Sequence, residues 1–167
     1  MPETSPLLIA VLLVAYLPPA LVLSWIDGRE HRLPNRWVVT LTVAVTASLL
    51  ALYLLDPALR PALRTAALLA LVLGIAALVV ALIAPPLLGM GDAKTLPVVV
   101  LISAALGGEV LIGALLGIAL LSGVLGMAVI MVTRRAGARF ALGPVLLAGP
   151  FMGLLGAPVV SSALGTA

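Results

Sequence analysis

The sequence predicts an all-α membrane protein, a six-transmembrane-helix bundle that forms one domain over residues 1–167. Of the 167 residues, 63% are hydrophobic and only 9% are charged, whereas about 25% of the residues of a soluble domain are charged. The mean hydropathy is +1.34. Spans of about 20 residues each use up nearly the whole chain, so we expect no separate soluble domain.

Six apolar stretches are expected to form the helices, in chain order residues 7–26, 37–55, 63–88, 95–106, 110–132 and 140–164. The first stretch has no basic flank ahead of it and no obvious cleavage site, so we interpret it as a span and not as a signal peptide. Pro18-Pro19 is expected to kink it. Pro57 and Pro61 mark a turn, and Pro85-Pro86 is expected to end or bend the third helix.

The basic residues predict the orientation of the bundle. Lys and Arg number nine in all, and seven of them lie in the first, third and fifth loops: Arg29, Arg32, Arg36, Lys94, Arg134, Arg135 and Arg139. Basic loops stay on the cytoplasmic side, so these loops are expected to be cytoplasmic and both termini to face outward. Asp27 and Asp92 then share the cytoplasmic face. The net charge of +3 is explained by this topology, and we expect no nucleic-acid partner.

The fourth stretch is short. From Asp92 to Leu106 a helix rises about 22 Å, less than the roughly 30 Å of the hydrocarbon core. Asp92 is therefore expected below the headgroups, where irregular backbone is tolerated only beside protein or a water-filled cavity. Gly89 and Gly91 would let the chain turn tightly there, and we expect a wet, protein-walled cleft.

Two carboxylates at membrane borders are the best candidates for chemistry in this chain. If Asp27 and Asp92 meet, one keeps its proton while the other stays charged. The charged group can act as general base on water and the protonated group as general acid, with no metal or cofactor. The pair titrates as a unit, so the two roles stay unassigned. The chain has no cysteine, so its single histidine, His31, has no cysteine nucleophile to activate.

These residues also resemble the pattern of the type IV prepilin peptidase family, which are intramembrane aspartic proteases. In that family an aspartate ends the first helix ahead of an Ile/Leu-Pro-Asn, and a Gly-x-Gly-Asp-x-Lys begins the fourth. Here Asp27 precedes Leu33-Pro34-Asn35, and Gly89-Met90-Gly91-Asp92 precedes Lys94. Gly143-Pro144 matches more weakly a Pro-Phe-Gly-Pro stretch that relatives often carry.

The resemblance implies cleavage of a short basic leader from prepilin or pseudopilin precursors at the cytoplasmic face of a bacterial or archaeal cell membrane. Asp27 and Asp92 would be catalytic, Gly89 and Gly91 would form the active-site loop, and Lys94, Pro34 and Asn35 would support the site or contact the substrate. Larger members also methylate the new N-terminus and carry a cysteine-bearing insertion. This chain has neither the cysteines nor the insertion, which indicates a short, peptidase-only form.

Plainer interpretations stand beside these. Asp92 could simply cap the fourth helix, and Pro34-Asn35 is expected to end the first loop and cap the second helix. Lys94 could neutralise a carboxylate, contact the substrate or anchor its helix at the headgroups, and we favour anchoring or support. The two small-residue pairs Gly113-x-x-x-Gly117 and Gly149-x-x-x-Gly153 are interpreted as helix-packing sites.

A rival function is a small ion- or proton-coupled transporter, because intramembrane aspartates and glycine-interrupted helices also form cation sites. Such a carrier is expected to contain an inverted repeat, and the contexts of Asp27 and Asp92 do not resemble each other. A non-catalytic scaffold has no specific support. The sequence identifies neither the precursor nor the oligomeric state.

Overall fold

The computed structural model describes residues 5–30, 32–85, 88–133 and 142–165, and these residues form helices joined by turns. We number the helices in chain order: α1 Pro6–Glu30, α2 Asn35–Leu55, α3 Arg60–Ile83, α4 Met90–Leu106, α5 Gly108–Thr133 and α6 Gly143–Leu164. The described residues include no strand. The predicted all-α class is therefore confirmed.

Five of these helices are long and apolar enough to cross a membrane, and α4 is the exception. With 17 residues it rises about 26 Å, short of the roughly 30 Å of a hydrocarbon core. It starts five residues earlier than predicted, at Met90, so Asp92 lies in its first turn. Helix α3 ends at Ile83, just ahead of Pro85, as the proline pair predicted.

The short helix α4 is the centre of the bundle. It contacts each of the other five helices, and nine of its 17 residues are buried. Its Pro97 packs against Gly74 of α3, where an added Cβ would lie 2.7 Å from the proline Cγ. The middle and the end of α4 are therefore packed among longer helices, while Met90 at its start is exposed.

Helix α1 departs from regular geometry ahead of its two prolines. Pro18 and Pro19 lack an N–H, so two carbonyls one turn earlier lose their usual partners. The chain forms a π-helical turn at Leu12–Tyr16, a common response to such a disturbance. Within that turn Tyr16 is fully buried and donates a hydrogen bond from its hydroxyl to the carbonyl oxygen of Leu147 in α6, at 2.8 Å.

The outer surface of the bundle is apolar. Large hydrophobic side chains such as Val14, Leu55 and Leu155 are at least three-quarters exposed, which a water-soluble protein avoids on this scale. Trp25 and Trp37 are 63% and 38% exposed near the α1–α2 turn. Aromatic residues of this kind mark the border between lipid and water. The apolar outer surface and the five long apolar helices therefore indicate a membrane protein.

Helices α5 and α6 cross at the predicted glycines. A Cβ added at Gly113 would lie 3.2 Å from the Cα and carbonyl oxygen of Gly153, and one added at Gly153 would collide with the carbonyl oxygen of Val110. Gly117 faces Met152, and Gly149 faces Ile118. The prediction that these glycines serve close helix packing is confirmed.

Successive helices run in opposite directions, which brings the end of α1, the start of α2, the start of α4 and the start of α6 together. Three contacts join them: Gly143 to Asp27, Lys94 to Asn35, and Gly91 to Leu33. We call this end of the bundle the Asp end. It carries the first polar segment and the glycine motif, although they are far apart in the sequence.

The glycine crossing gives a stability test. We expect Gly153→Ala to lower the midpoint of thermal unfolding in detergent, because the new methyl group forces α5 and α6 apart; overpacking of this kind costs about 1–3 kcal/mol. Gly123→Ala is the matched control, since a Cβ at Gly123 meets nothing within 4 Å. Equal midpoints for the two variants would contradict the close crossing.

Candidate functional site

Asp27 is a buried carboxylate near the end of α1. The residue is only 5% exposed, and its Oδ2 accepts a hydrogen bond from the backbone N–H of Gly143 at 2.9 Å. A buried charge is costly unless it is hydrogen-bonded or paired. The Gly143 amide therefore gives a physical reason why an acidic side chain is stable at this position.

The Gly143 amide is available because it stands at the start of α6. The first N–H groups of a helix have no partner within the helix, and together with the helix dipole they favour a nearby negative charge. The absence of a side chain is also required here: a Cβ at Gly143 would lie 2.5 Å from Oδ2 of Asp27 and 2.9 Å from its Cγ. Glycine at this position lets the carboxylate reach the helix terminus.

Asp92 lies in the first turn of α4 and is half-buried. It is the third residue after Gly89, the N-cap of α4. An acidic side chain at this position benefits from the positive end of the helix dipole. Asp92 and Asp27 are thus each placed at a helix N-terminus, which offsets part of the repulsion between two neighbouring carboxylates.

The two carboxyl groups lie at the same end of the bundle, Asp27 on the amide that begins α6 and Asp92 in the first turn of α4. Asp27 is enclosed by protein, whereas Asp92 is partly open to the surroundings. Asp27 is held in place by its hydrogen bond to Gly143, whereas a water molecule or a substrate can approach Asp92.

Gly89 and Gly91 make space at the Asp end. A Cβ at Gly89 would lie 2.9 Å from Oδ2 of Asp92, and a Cβ at Gly91 would lie 3.2 Å from Cβ of Leu33. The prediction that these glycines permit a tight turn is wrong, because Gly89 has an ordinary extended conformation, φ −67° and ψ 145°, and Gly91 is helical. The absence of a side chain at these two positions permits close approach of Asp92 and Leu33, and neither position has a special backbone angle.

Lys94 and Asn35 link α4 to α2. The Lys94 Nζ donates to Oδ1 of Asn35 at 3.3 Å in an exposed position. The N-cap of α2 is Pro34 and has no capping side chain, while Asn35 is the first helical residue. Pro34 therefore ends the first loop as predicted, but the expected capping of α2 by Asn35 is wrong because its side chain is turned towards Lys94.

Other charges around the site are at the surface. Arg32 and Glu30 form an exposed ion pair at 2.7 Å, which contributes little to stability. The guanidinium of Arg29 lies 4.1 Å from the centre of the Trp25 ring. His31 lies outside the described residues, as do the basic residues of the fifth loop, Arg134, Arg135 and Arg139.

A metal site was not expected, and the described residues contain no group of three or more His, Asp or Glu side chains that could hold a metal ion. The expected wet cleft at the Asp end stays a prediction, and the structure has a cavity elsewhere. That cavity lies between α2 and α3, near Tyr53 and Arg64, at the opposite end of the bundle. The candidate site therefore consists of the two aspartates and the helix termini around them.

Sequence reasoning gave Gly143 only a weak role, and it missed Tyr16. The signal for Gly143 was the Gly143-Pro144 pair, since proline is favoured in the first turn of a helix and marks where free amides occur. The signal for Tyr16 was a phenol in an apolar helix, where a buried hydroxyl needs an acceptor. Both residues tie α1 to α6, Gly143 at Asp27 and Tyr16 further along the two helices.

Comparison of the chain with protein-family models, with curated proteins and with solved structures finds no match. What can be said about function therefore depends on the residues and their arrangement.

The assembly of the Asp end can be tested by disulfide formation, because the chain has no native cysteine. We expect the pair Leu33→Cys with Gly91→Cys to oxidise readily in membranes, since the two Cβ positions lie about 3.2 Å apart, close to the roughly 3.5–4.5 Å of natural disulfides. The extent of disulfide formation is measured as the protection of both thiols from a maleimide reagent. Leu33→Cys with Gly123→Cys is the control, and equal labelling of the two pairs would argue against the contact.

Proposed function

We propose that this protein is an aspartic endopeptidase of the membrane, in which Asp27 and Asp92 activate water to hydrolyse a peptide bond. The observation that carries the proposal is that two aspartates lie at the same end of the bundle: Asp27 is buried with its Oδ2 on the amide that begins α6, and Asp92 is half-buried in the first turn of α4. Ionisable residues in such surroundings are costly, and this favours a functional role.

The chemistry follows from the pair. One carboxylate takes a proton from water as the water oxygen attacks the scissile carbonyl, and the other, protonated, carboxyl group donates a hydrogen bond to the carbonyl oxygen. The C–N bond then breaks, and the leaving nitrogen takes up a proton from the pair. Water is split between the two products, so no cofactor is consumed. The Gly143 amide holds the Asp27 side chain in position for these transfers.

The proposed substrate is a prepilin-like precursor, whose short basic leader would be removed at the cytoplasmic face of the cell membrane. The resemblance of the Asp27 and Asp92 motifs to prepilin peptidases supports this choice. The excess of Lys and Arg in the odd loops supports the cytoplasmic position. We further propose that α4 completes six crossings, with its shortness offset by the longer helices around it.

The dyad can be tested with single substitutions. We expect Asp27→Asn and Asp92→Asn each to abolish cleavage of a co-expressed prepilin, because an amide can neither take the proton from water nor supply the proton needed by the leaving nitrogen. Immunoblotting for the two precursor lengths measures cleavage, and membrane fractionation measures insertion.

Asp56→Asn is the matched control, since Asp56 is the remaining aspartate and lies in the α2–α3 turn at the other end of the bundle. This variant is expected to cleave normally. Full processing by either Asp27→Asn or Asp92→Asn would refute the dyad. Ion flux through reconstituted vesicles without any cleavage would favour the transporter instead.

The role of Gly143 gives a separate prediction. We expect Gly143→Ala to lower the turnover number roughly 100-fold, because its methyl group displaces the Asp27 carboxylate and misplacing a reacting group by about 1 Å costs that much. Gly156→Ala in the same helix is the control, since its Cβ would meet only an ordinary contact at 3.9 Å. Initial rates on a purified precursor measure the effect, and equal rates for the two variants would exclude the positioning role.

A further inference from the structure

An apolar groove lies between α2 and α3, away from the Asp end. Its volume is about 250 Å³, and apart from one threonine, one tyrosine and one arginine its lining is aliphatic: Thr46, Leu49, Leu50, Tyr53, Leu63, Arg64, Ala67 and Leu101. Helix α2 makes few contacts with α3 and leans on α4 and α1 instead. The groove therefore opens on the outer, apolar surface of the bundle.

Two arginines stand at one end of this groove. Arg64 donates from Nε and Nη2 to the Tyr53 hydroxyl at 2.9 and 2.7 Å, and Arg60 donates from Nε to the Tyr53 carbonyl oxygen at 3.0 Å. Both guanidinium groups also lie within 6 Å of the centre of the Tyr53 ring. The tyrosine thus holds two positive charges side by side.

The guanidinium groups keep donors for a further partner. Each guanidinium has about five N–H donors, and the contacts with Tyr53 use only some of them. The acid in this turn, Asp56, accepts a hydrogen bond at Oδ1 from the backbone N–H of Ala58 at 2.9 Å. Its single negative charge leaves one of the two positive charges of Arg60 and Arg64 in excess. A planar guanidinium matches the oxygens of a phosphate group.

The shape of the groove limits what can enter it. The groove has a volume of about 250 Å³, slightly less than the roughly 300 Å³ at which ligand pockets begin. A transmembrane helix, which is about 10 Å across with its side chains, is too wide for it. A groove of this volume suits one extended hydrocarbon chain. The apolar lining below and the positive charges at one end match an amphipathic molecule with a single inserted chain and an anionic head.

We propose that this groove is a phospholipid-binding site, in which one acyl chain lies between α2 and α3 and the headgroup phosphate is bound by Arg60 and Arg64. The lipid belongs to the leaflet at the end of the bundle opposite Asp27. It would hold α2 against α3 where these helices share few direct contacts. The site is independent of the proposed peptidase activity.

The test is lipid counting by native mass spectrometry on the full-length protein in detergent, titrated with phosphatidylglycerol. Arg60→Gln with Arg64→Gln is expected to weaken binding roughly 30-fold, from two lost charges near a phosphate. Ala67→Phe is expected to abolish saturable binding while both arginines remain, because Ala67 is an exposed lining residue with room for a larger side chain.

Arg32→Gln with Arg36→Gln is the control, since it removes the same charge from exposed positions at the Asp end and is expected to leave binding unchanged. If both double arginine variants weaken lipid binding equally, the effect comes from net charge alone, and the proposed site is wrong. If Ala67→Phe binds the lipid as the unchanged protein does, the acyl chain does not lie in the groove. Competition by inorganic phosphate alone would assign the site to a free anion and contradict the proposal. A dimer that Ala67→Phe disrupts would assign the groove to a second copy of the chain and also contradict it.

Discussion

The hydrogen bond from the Gly143 amide to Asp27 is the constraint on which the Asp end depends. A carboxylate that is 5% exposed in an apolar bundle needs a donor, and the first turn of α6 supplies one at 2.9 Å. To make this bond, α6 must begin beside the last turns of α1, and glycine must occupy its first position. The Tyr16 hydroxyl holds the same two helices together further along, at Leu147.

Small residues and one short helix build the rest of the arrangement. The crossing at Gly113 and Gly153 brings α5 and α6 into backbone contact, and the contact between Gly74 and Pro97 does the same for α3 and α4. Helix α4 is shorter than a hydrocarbon core is thick, and it contacts all five other helices. Its first turn lies at the same end of the bundle as the last turns of α1, so Asp92 and Asp27 share that end.

Much of this was predictable from composition and spacing. Apolar stretches of membrane length predicted the helices, Pro85 predicted the end of α3, and the spaced glycines predicted the α5–α6 crossing. These patterns are local or consist of one repeated feature, so they can be recognised in the sequence without knowledge of the fold. The placement of Asp27 and Asp92 at the same end of the bundle needed only the assumption that successive helices alternate in direction.

What the sequence could not give are contacts between distant segments. The turn of Asn35 towards Lys94, and not towards its own helix, depends on where α4 begins. The reason for glycine at positions 89 and 91 is the proximity of Asp92 and Leu33, which backbone preferences do not reveal. The Tyr53 cluster likewise depends on the angle between α2 and α3. Each of these is a property of packing that no single stretch of sequence encodes.

The central claim is that Asp27 and Asp92 behave as one coupled pair. Infrared difference spectroscopy of the carboxyl bands during a pH titration measures this directly on the purified protein and on the Asp27→Asn and Asp92→Asn variants. If the two carboxylates are coupled, removing either one changes the titration of the one that remains, because interacting groups titrate together. A remaining aspartate that titrates in the variant as it does in the intact protein would contradict it.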